Sequence, residues 1–250
     1  MMSLKQLPVH MLWVSGELSR LARLSLASFV AQGYRVRLWS YDPDHLRAEF
    51  ADVQDASTLL PMPEADSHNM AYLTSLFRYR VLAEQGGIWA DLDVVALTDD
   101  PRIEARPLIA SEKRRPFRHT EPTATGESLT QVTNCFMASP APREGDLWHL
   151  ALDRVAALNP EDRNWENVGP HMLSGLMLRH SDLEIDILPP EAVDPVAWWN
   201  VPGYFLEERD PPPSPFMHMY ATIWTRRGVD AEMPFPPGSL AGRLWKRFGL

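Results

Sequence analysis

The stretch TSLFRYRVLAEQGGIWADLDVV, residues 74–95, decides how the rest of the chain is read. It predicts a helix over residues 70–85, a double-glycine stop at Gly86 and Gly87, and a short apolar strand that runs into Asp91 and Asp93. Leu73, Phe77 and Val81 mark the helix side that faces the core, while Thr74, Ser75 and Arg78 share another side. Two carboxylates separated by one residue at a strand end can hold a divalent cation and, through it, a diphosphate. Hard oxygen ligands with substrate phosphates completing the shell suit Mg²⁺ or Mn²⁺.

The tripeptide alone carries little, because Asp42-Pro43-Asp44 repeats it in what reads as a turn. Context separates the two copies. Ile88, Trp89, Ala90, Leu92 and Val94 surround Asp91 and Asp93, so these charges interrupt a buried strand, where an unpaired charge is costly. A bound cation relieves that cost. So would an internal ion pair to Arg78 or Arg80.

Working outward, residues 9–14 (VHMLWV) predict a buried strand and residues 17–32 a helix closed by Gly33. Tyr34, Val36 and Leu38 then alternate with Arg35 and Arg37, the period of a half-buried strand. Such a strand–helix–strand start predicts a right-handed parallel pair, with ligands gathered at the carboxyl ends of the strands. Trp13 and Ser40 to Asp42 fall at that edge. Further strands are expected at residues 107–110 and 134–138, and helices at 146–158 and 171–178, the last started by Pro170. Residues 111–130 are polar and read as a lid, a binding loop or a disordered segment, and repeated prolines make the last quarter loop-rich. With no internal repeat and no clean linker, residues 1–250 read as a single domain.

The 250 residues suffice for a substantial core, and 45% hydrophobic content is ordinary for a globular protein. A net charge of -9 argues against a nucleic-acid binder. Cys135 is the lone cysteine, so no intrachain disulfide is expected. The start lacks the apolar run of a secretory signal, and no stretch has the length of a membrane span, so a cytoplasmic protein is expected. Residues 239–250 set Arg243, Lys246 and Arg247 beside Leu240, Leu244, Trp245 and Phe248. That helix is suited to peripheral contact with the inner membrane face, or to packing on the body.

The run 74–95 resembles the signature of DXD glycosyltransferases with the sugar-binding region: Ser-Asp-Leu-x-Arg, a helix, Gly-Gly-x-Tyr and Asp-x-Asp. That group includes fungal initiating α-mannosyltransferases, bacterial capsule and lipopolysaccharide transferases and, more distantly, the clostridial glucosylating toxins. His10-Met-Leu-Trp13 resembles its first strand, and Leu38-Trp-Ser-Tyr-Asp42 its second strand end.

The resemblance implies an α/β, GT-A-like nucleotide-binding fold with a mostly parallel central sheet. Residues 1–100 would form the nucleotide-sugar half and residues 101–250 the acceptor half and C-terminal closure. It implies a metal-dependent, retaining transfer from a nucleotide-sugar to a glycan or lipid-linked acceptor in surface polysaccharide synthesis, with Mn²⁺ or Mg²⁺ as cofactor. Carried over by position, Trp13 stacks on the base, Asp42 lies near base or ribose, and Arg78 contacts sugar or phosphate. Trp89, where the family has Tyr, lines the diphosphate pocket. Asp91 meets ribose and sugar hydroxyls, partly through the metal, and Asp93 ligates the metal directly. Asn134 begins a strand near sugar and acceptor. His218 and Trp224 resemble a late His…Ser-x-Trp closure, which implies a metal ligand and a cover for the donor.

Ser75, preceded by Thr74, replaces the family's sugar-binding Asp, so the donor sugar is different or is held less tightly, and a degenerate enzyme stays open. No base or nucleophile is assigned. Two rivals stay open: a haloacid-dehalogenase-type phosphatase using Asp91 and Asp93, and a non-catalytic sugar-nucleotide-binding protein.

Overall fold

The computed structural model describes residues 2–46, 48, 51–62, 70–113, 131–230 and 232–250. Its first half runs β1 (Val9–Leu12), α1 (Arg20–Ala31), β2 (Val36–Ser40), β3 (Asp52–Asp55), α2 (Met70–Glu84), β4 (Gly87–Ala90) and β5 (Val94–Ala96). The second half continues with β6 (Leu108–Glu112), β7 (Gln131–Ser139), α3 (Leu147–Ala156), α4 (Trp165–Val168), α5 (Pro170–Arg179) and β8 (Asp186–Leu188). Shorter pieces follow: α6 (Pro190–Val193), α7 (Gly203–Leu206), β9 (Phe216–His218), α8 (Ala221–Arg226) and the terminal α9 (Leu240–Arg247).

Seven strands form the central sheet in the order β3-β2-β1-β4-β7-β6-β8. The pairs β1–β2, β2–β3, β1–β4 and β6–β8 are parallel, and β7 alone runs against both its neighbours. This is the expected α/β architecture with a mostly parallel central sheet. The β4–β7 pairing also carries the sheet across both halves of the chain.

Both faces of the sheet are covered, which explains why β1 and β4 are continuous buried runs rather than alternating ones. Leu73, Phe77, Val81, Trp148 and Leu173, from α2, α3 and α5, cover one face. Ala22, Leu26 and Phe29 of α1 cover the other, together with Leu38, Ile88 and Phe136. A third cluster around Trp224, Phe205, Leu240 and Leu244 backs the separate two-stranded sheet of β5 and β9.

The predicted helix 17–32 starts three residues late, at Arg20. Ser19 caps α1 by accepting the Ala22 N–H at 3.1 Å, and Asp146 caps α3 by accepting from Trp148 and His149. Gly86 and Gly87 take φ values of +68° and +91°, and a Cβ on them would lie 2.6 Å from the Ser139 carbonyl and 2.7 Å from the Pro8 carbonyl. Only glycine lets the chain turn this tightly from α2 into the centre of the sheet.

The strands β3, β5, β8 and β9, each three or four residues long, are absent from the sequence reading. Most of the polar stretch 111–130, namely residues 114–130, lies outside the described residues. The apolar side of α9 does not face outward: Leu240, Ala241 and Leu244 are buried and Trp245 packs edge-on against Phe235. Among the described residues no helix is long and apolar enough to cross a membrane.

Candidate functional site

β4 ends at Ala90, on the edge where the parallel strands present their carboxyl ends. The Asp91 N–H donates to the Cys135 carbonyl on β7 at 2.8 Å, and the Val94 N–H returns to the Asp91 carbonyl at 3.0 Å. The Asp-x-Asp segment is therefore a tight turn between two sheets, and both carboxylates project from it. β5 then pairs antiparallel with β9 so that Val94 stands opposite His218. Met219 fixes the register further by donating its N–H to the Asp93 carbonyl at 2.7 Å. This short ladder carries His218 to Asp93 from a distant part of the chain.

Asp91 accepts a 2.7 Å hydrogen bond at Oδ1 from the Trp89 indole, and Nη2 of Arg78 lies 3.4 Å from the same oxygen. Burial raises the Asp91 carboxyl, against the opposing charge of Arg78, and neighbouring Asp93 adds to the rise. The 27% of its side chain that remains open to solvent limits that push. Asp93 behaves oppositely. Burial would raise it, but His218, together with the Ala221 N–H on Oδ2 at 2.8 Å, holds it below the ordinary carboxylate range.

His218 lies between two carboxylates: Nε2 is 3.2 Å from Asp93 Oδ1 and Nδ1 is 2.8 Å from Asp194 Oδ1. Burial alone would depress the imidazole, but with Cys135 beside it and a carboxylate at each ring nitrogen it is held well above its usual value. Because burial keeps the Cys135 thiol protonated, pushed up to about 12, the carboxylates are the physical source of that rise.

Whether these residues suit a divalent cation is tested by Asp93 Oδ1. It is buried and, among the described residues, accepts no hydrogen bond of good geometry, although the Nε2 of His218 faces it as an ion-pair partner at 3.2 Å. Two ligands at right angles around a cation with bonds of ~2.1 Å sit about 3.0 Å apart, close to the separation seen here. The oxygen and the nitrogen thus fit neighbouring positions of one coordination shell. Cys135, Asp194 and His218 also bring ligand atoms within 4.8 Å of one another. There, however, the 2.8 Å hydrogen bond between Nδ1 and Asp194 already fills the space between the two groups, so that trio buttresses the site.

Asp91, Asp93, Asn134 and His218 all line one cavity of about 250 Å³. Arg78 stands behind Asp91, with Nη1 donating to the Asn134 carbonyl at 2.8 Å and Nε to the Thr74 carbonyl at 3.2 Å. Trp13 follows β1 and Asp42 follows β2, on the same strand edge but outside the cavity lining; Asp42 pairs with His45 at 2.6 Å.

Four expected contacts change. The Thr74 hydroxyl donates back to the Met70 carbonyl at 2.7 Å, and Ser75 is buried in α2. Trp89 is buried under Arg78, so it anchors Asp91 instead of lining a diphosphate pocket. Trp224 is wholly enclosed, donates to the Met219 carbonyl at 2.8 Å and cannot cover a donor from there.

Thr222, at the Ser position of the His…Ser-x-Trp resemblance, also lines the cavity, as do Glu112, Tyr220 and Arg226, which escaped the sequence reading together with Asp194 behind His218. Their only signal was nearness to His218 or to the end of a predicted strand. Tyr220 stacks on the His218 ring with centroids 3.8 Å apart, from a left-handed backbone at φ 52°. Such strain in a non-glycine residue is tolerated where surrounding structure enforces it.

No family model matches the chain, and no curated protein matches it. Among solved structures, the PaToxG glycosyltransferase is similar over 69% of this chain and 69% of its own, at 12% identity and a TM-score of 0.48.

Proposed function

We propose that this protein is a metal-dependent, retaining glycosyltransferase that moves a sugar from a nucleotide-sugar to a glycan or lipid-linked acceptor in surface polysaccharide synthesis. The observation that carries the reading is the buried Oδ1 of Asp93, short of a well-formed hydrogen bond and 3.2 Å from the Nε2 of His218 on the wall of an open cavity. A Mn²⁺ or Mg²⁺ held by Asp93 and His218, with Asp91 beside it, would supply Lewis-acid stabilisation of the departing diphosphate.

The chain's own residues do the rest. Arg78 and Trp89 hold Asp91 in one orientation, facing the ribose and sugar hydroxyls. Arg226 is exposed at the cavity and, having no ion-pair partner among the described residues, offers its charge to a phosphate. Trp13 and Asp42, at the two neighbouring strand ends, take the base and ribose, and Asn134 meets the sugar. Ser75 cannot contribute the carboxylate of the resembling family, so the sugar is selected by the cavity wall instead. The family resemblance supplies the retention of configuration and the acceptor class.

The test is a thermal-shift panel of nucleotide-sugars with and without Mn²⁺, on wild type and Asp93→Asn, followed by product analysis with the donor that responds. A ligand that binds only the native state raises its melting temperature. A Mn²⁺-dependent shift, lost in the variant and accompanied by transfer, is expected. A shift without transfer or donor hydrolysis would reduce the protein to a binding module. Absence of any shift, with phosphate released from a monoester panel, would replace the reading by a phosphatase.

A further inference from the structure

The side chain of Asp194, fully buried at the end of α6, has an arrangement that the reading above does not use. Its backbone N–H closes α6 by donating to the Pro190 carbonyl at 2.8 Å, and α6 packs against β9. The carboxylate therefore reaches His218 from a fixed position, with Oδ1 2.8 Å from Nδ1 and Oδ2 3.8 Å from the Cys135 sulfur. A buried carboxylate without a partner would be costly, and Nδ1–H supplies one.

We propose that Asp194 is a positioning residue: by accepting the Nδ1–H of His218 it leaves Nε2 as the nitrogen that faces Asp93 Oδ1 and that would give up its proton to the cation the two would share. Which ring nitrogen of a histidine binds a metal is set by the hydrogen bond the other nitrogen makes. The two nitrogens of His218 have unequal surroundings here: Nδ1 faces the fully buried carboxylate of Asp194, and Nε2 faces that of Asp93, which lines the cavity. Tyr220, stacked on the ring with an interplanar angle of 29°, opposes a flip that would exchange them. This inference rests on the metal-site reading, and its test separates the two.

Mn²⁺ affinity is measured by the electron paramagnetic resonance of free Mn²⁺, with no donor present, for wild type, Asp93→Asn, His218→Gln and Asp194→Asn. Each variant is first checked for an intact fold by circular dichroism. Asp93→Asn and His218→Gln are expected to bind far more weakly than wild type, and Asp194→Asn 10- to 100-fold more weakly. If none of the variants weakens binding, the metal-site reading itself fails. If Asp93→Asn and His218→Gln weaken it while Asp194→Asn matches wild type, the role of Asp194 is overturned and the metal site stands.

A second measurement needs no Asp194 variant. In wild type loaded with Co²⁺, one hyperfine-shifted proton that exchanges with D₂O is expected in the ¹H spectrum, from Nδ1–H, and it disappears in His218→Gln. A histidine bound through Nδ1, or no such proton, overturns the proposal even if Asp194→Asn does not fold.

Discussion

Nη2 of Arg78 lies 3.4 Å from Oδ1 of Asp91, and the same guanidinium donates to the carbonyls of Asn134 and Thr74. One buried side chain thus joins α2, the start of the Asp-x-Asp turn and β7. A lysine has the charge but not the planar fork that reaches these groups together. Arg78→Lys is expected to cost about 1–3 kcal/mol in urea unfolding, with carbonyls left underbonded. Arg78→Met should cost more, about 3–5 kcal/mol, because the Asp91 carboxylate loses its cation. Equal stability of wild type and Arg78→Met would remove Arg78 as the organiser of this edge.

Gly87 and Gly145 both have positive φ, at +91° and +78°, but a Cβ on Gly87 would meet the Pro8 carbonyl at 2.7 Å while one on Gly145 meets nothing within 4 Å. The left-handed backbone costs an alanine roughly 1–2 kcal/mol at either position. Overpacking at Gly87 adds about 1–3 kcal/mol more, since backbone has to move. Urea midpoints of Gly87→Ala and Gly145→Ala should therefore differ clearly, with the former much lower. Matching midpoints would mean that the double glycine is not sterically required.

The contrast between long and short elements explains what the sequence made legible. α2 and β1 carry enough periodic or continuous apolar residues to be read to within a few positions, and Gly86-Gly87 marks the join before β4. β3 has an exposed–intermediate–intermediate–exposed pattern, and β9 spans only Phe216–His218, so neither produces a usable period. The carboxylates Asp91 and Asp93 stood out because they interrupt apolar sequence. Asp194 did not, because its partner His218 is brought to it through the pairing of β9 with β5 rather than through any spacing along the chain. Trp224 misled for the opposite reason: its place in a familiar-looking closure agreed with the resemblance, while its side chain is spent on the third core cluster.

That placement of Trp224 separates stability from donor binding. Trp224→Phe removes an indole N–H bonded to the Met219 carbonyl and leaves that buried carbonyl short of a donor, so a loss of about 1–3 kcal/mol is expected. The KM for the nucleotide-sugar should stay within about twofold of wild type. Arg226→Ala is the counterpart, being exposed at the cavity. Its melting temperature should be unchanged, since exposed substitutions usually stay within about 0.5 kcal/mol. Its donor KM should rise about tenfold, a loss of roughly 1.4 kcal/mol in binding. A Trp224→Phe enzyme with normal stability and a raised donor KM would put the indole back in the donor site.

His10 gives the protein an acid-sensitive core. It is fully enclosed on β1, and its Nδ1 accepts the Trp39 indole N–H at 3.0 Å, so the ring is neutral in the native state. Burial, aided by the nearby charge of Arg37, lowers its pKa from 6.5 to about 3. Above pH 6.5 neither the folded nor the unfolded chain holds this proton and stability does not depend on it. As pH falls between 6.5 and about 3, the unfolded chain takes up the proton and the folded chain does not. Stability then drops by about 1.4 kcal/mol per pH unit from this residue. His10→Gln keeps a hydrogen-bond acceptor for Trp39 but cannot be protonated. Urea unfolding of both proteins at pH 7 and pH 4, with chelator present, should show the wild type losing about 3 kcal/mol more than the variant over that interval. The contributions of Asp93 and His218 cancel in this difference provided the two sites are independent. An equal loss in both proteins would show that His10 is protonated in the native core.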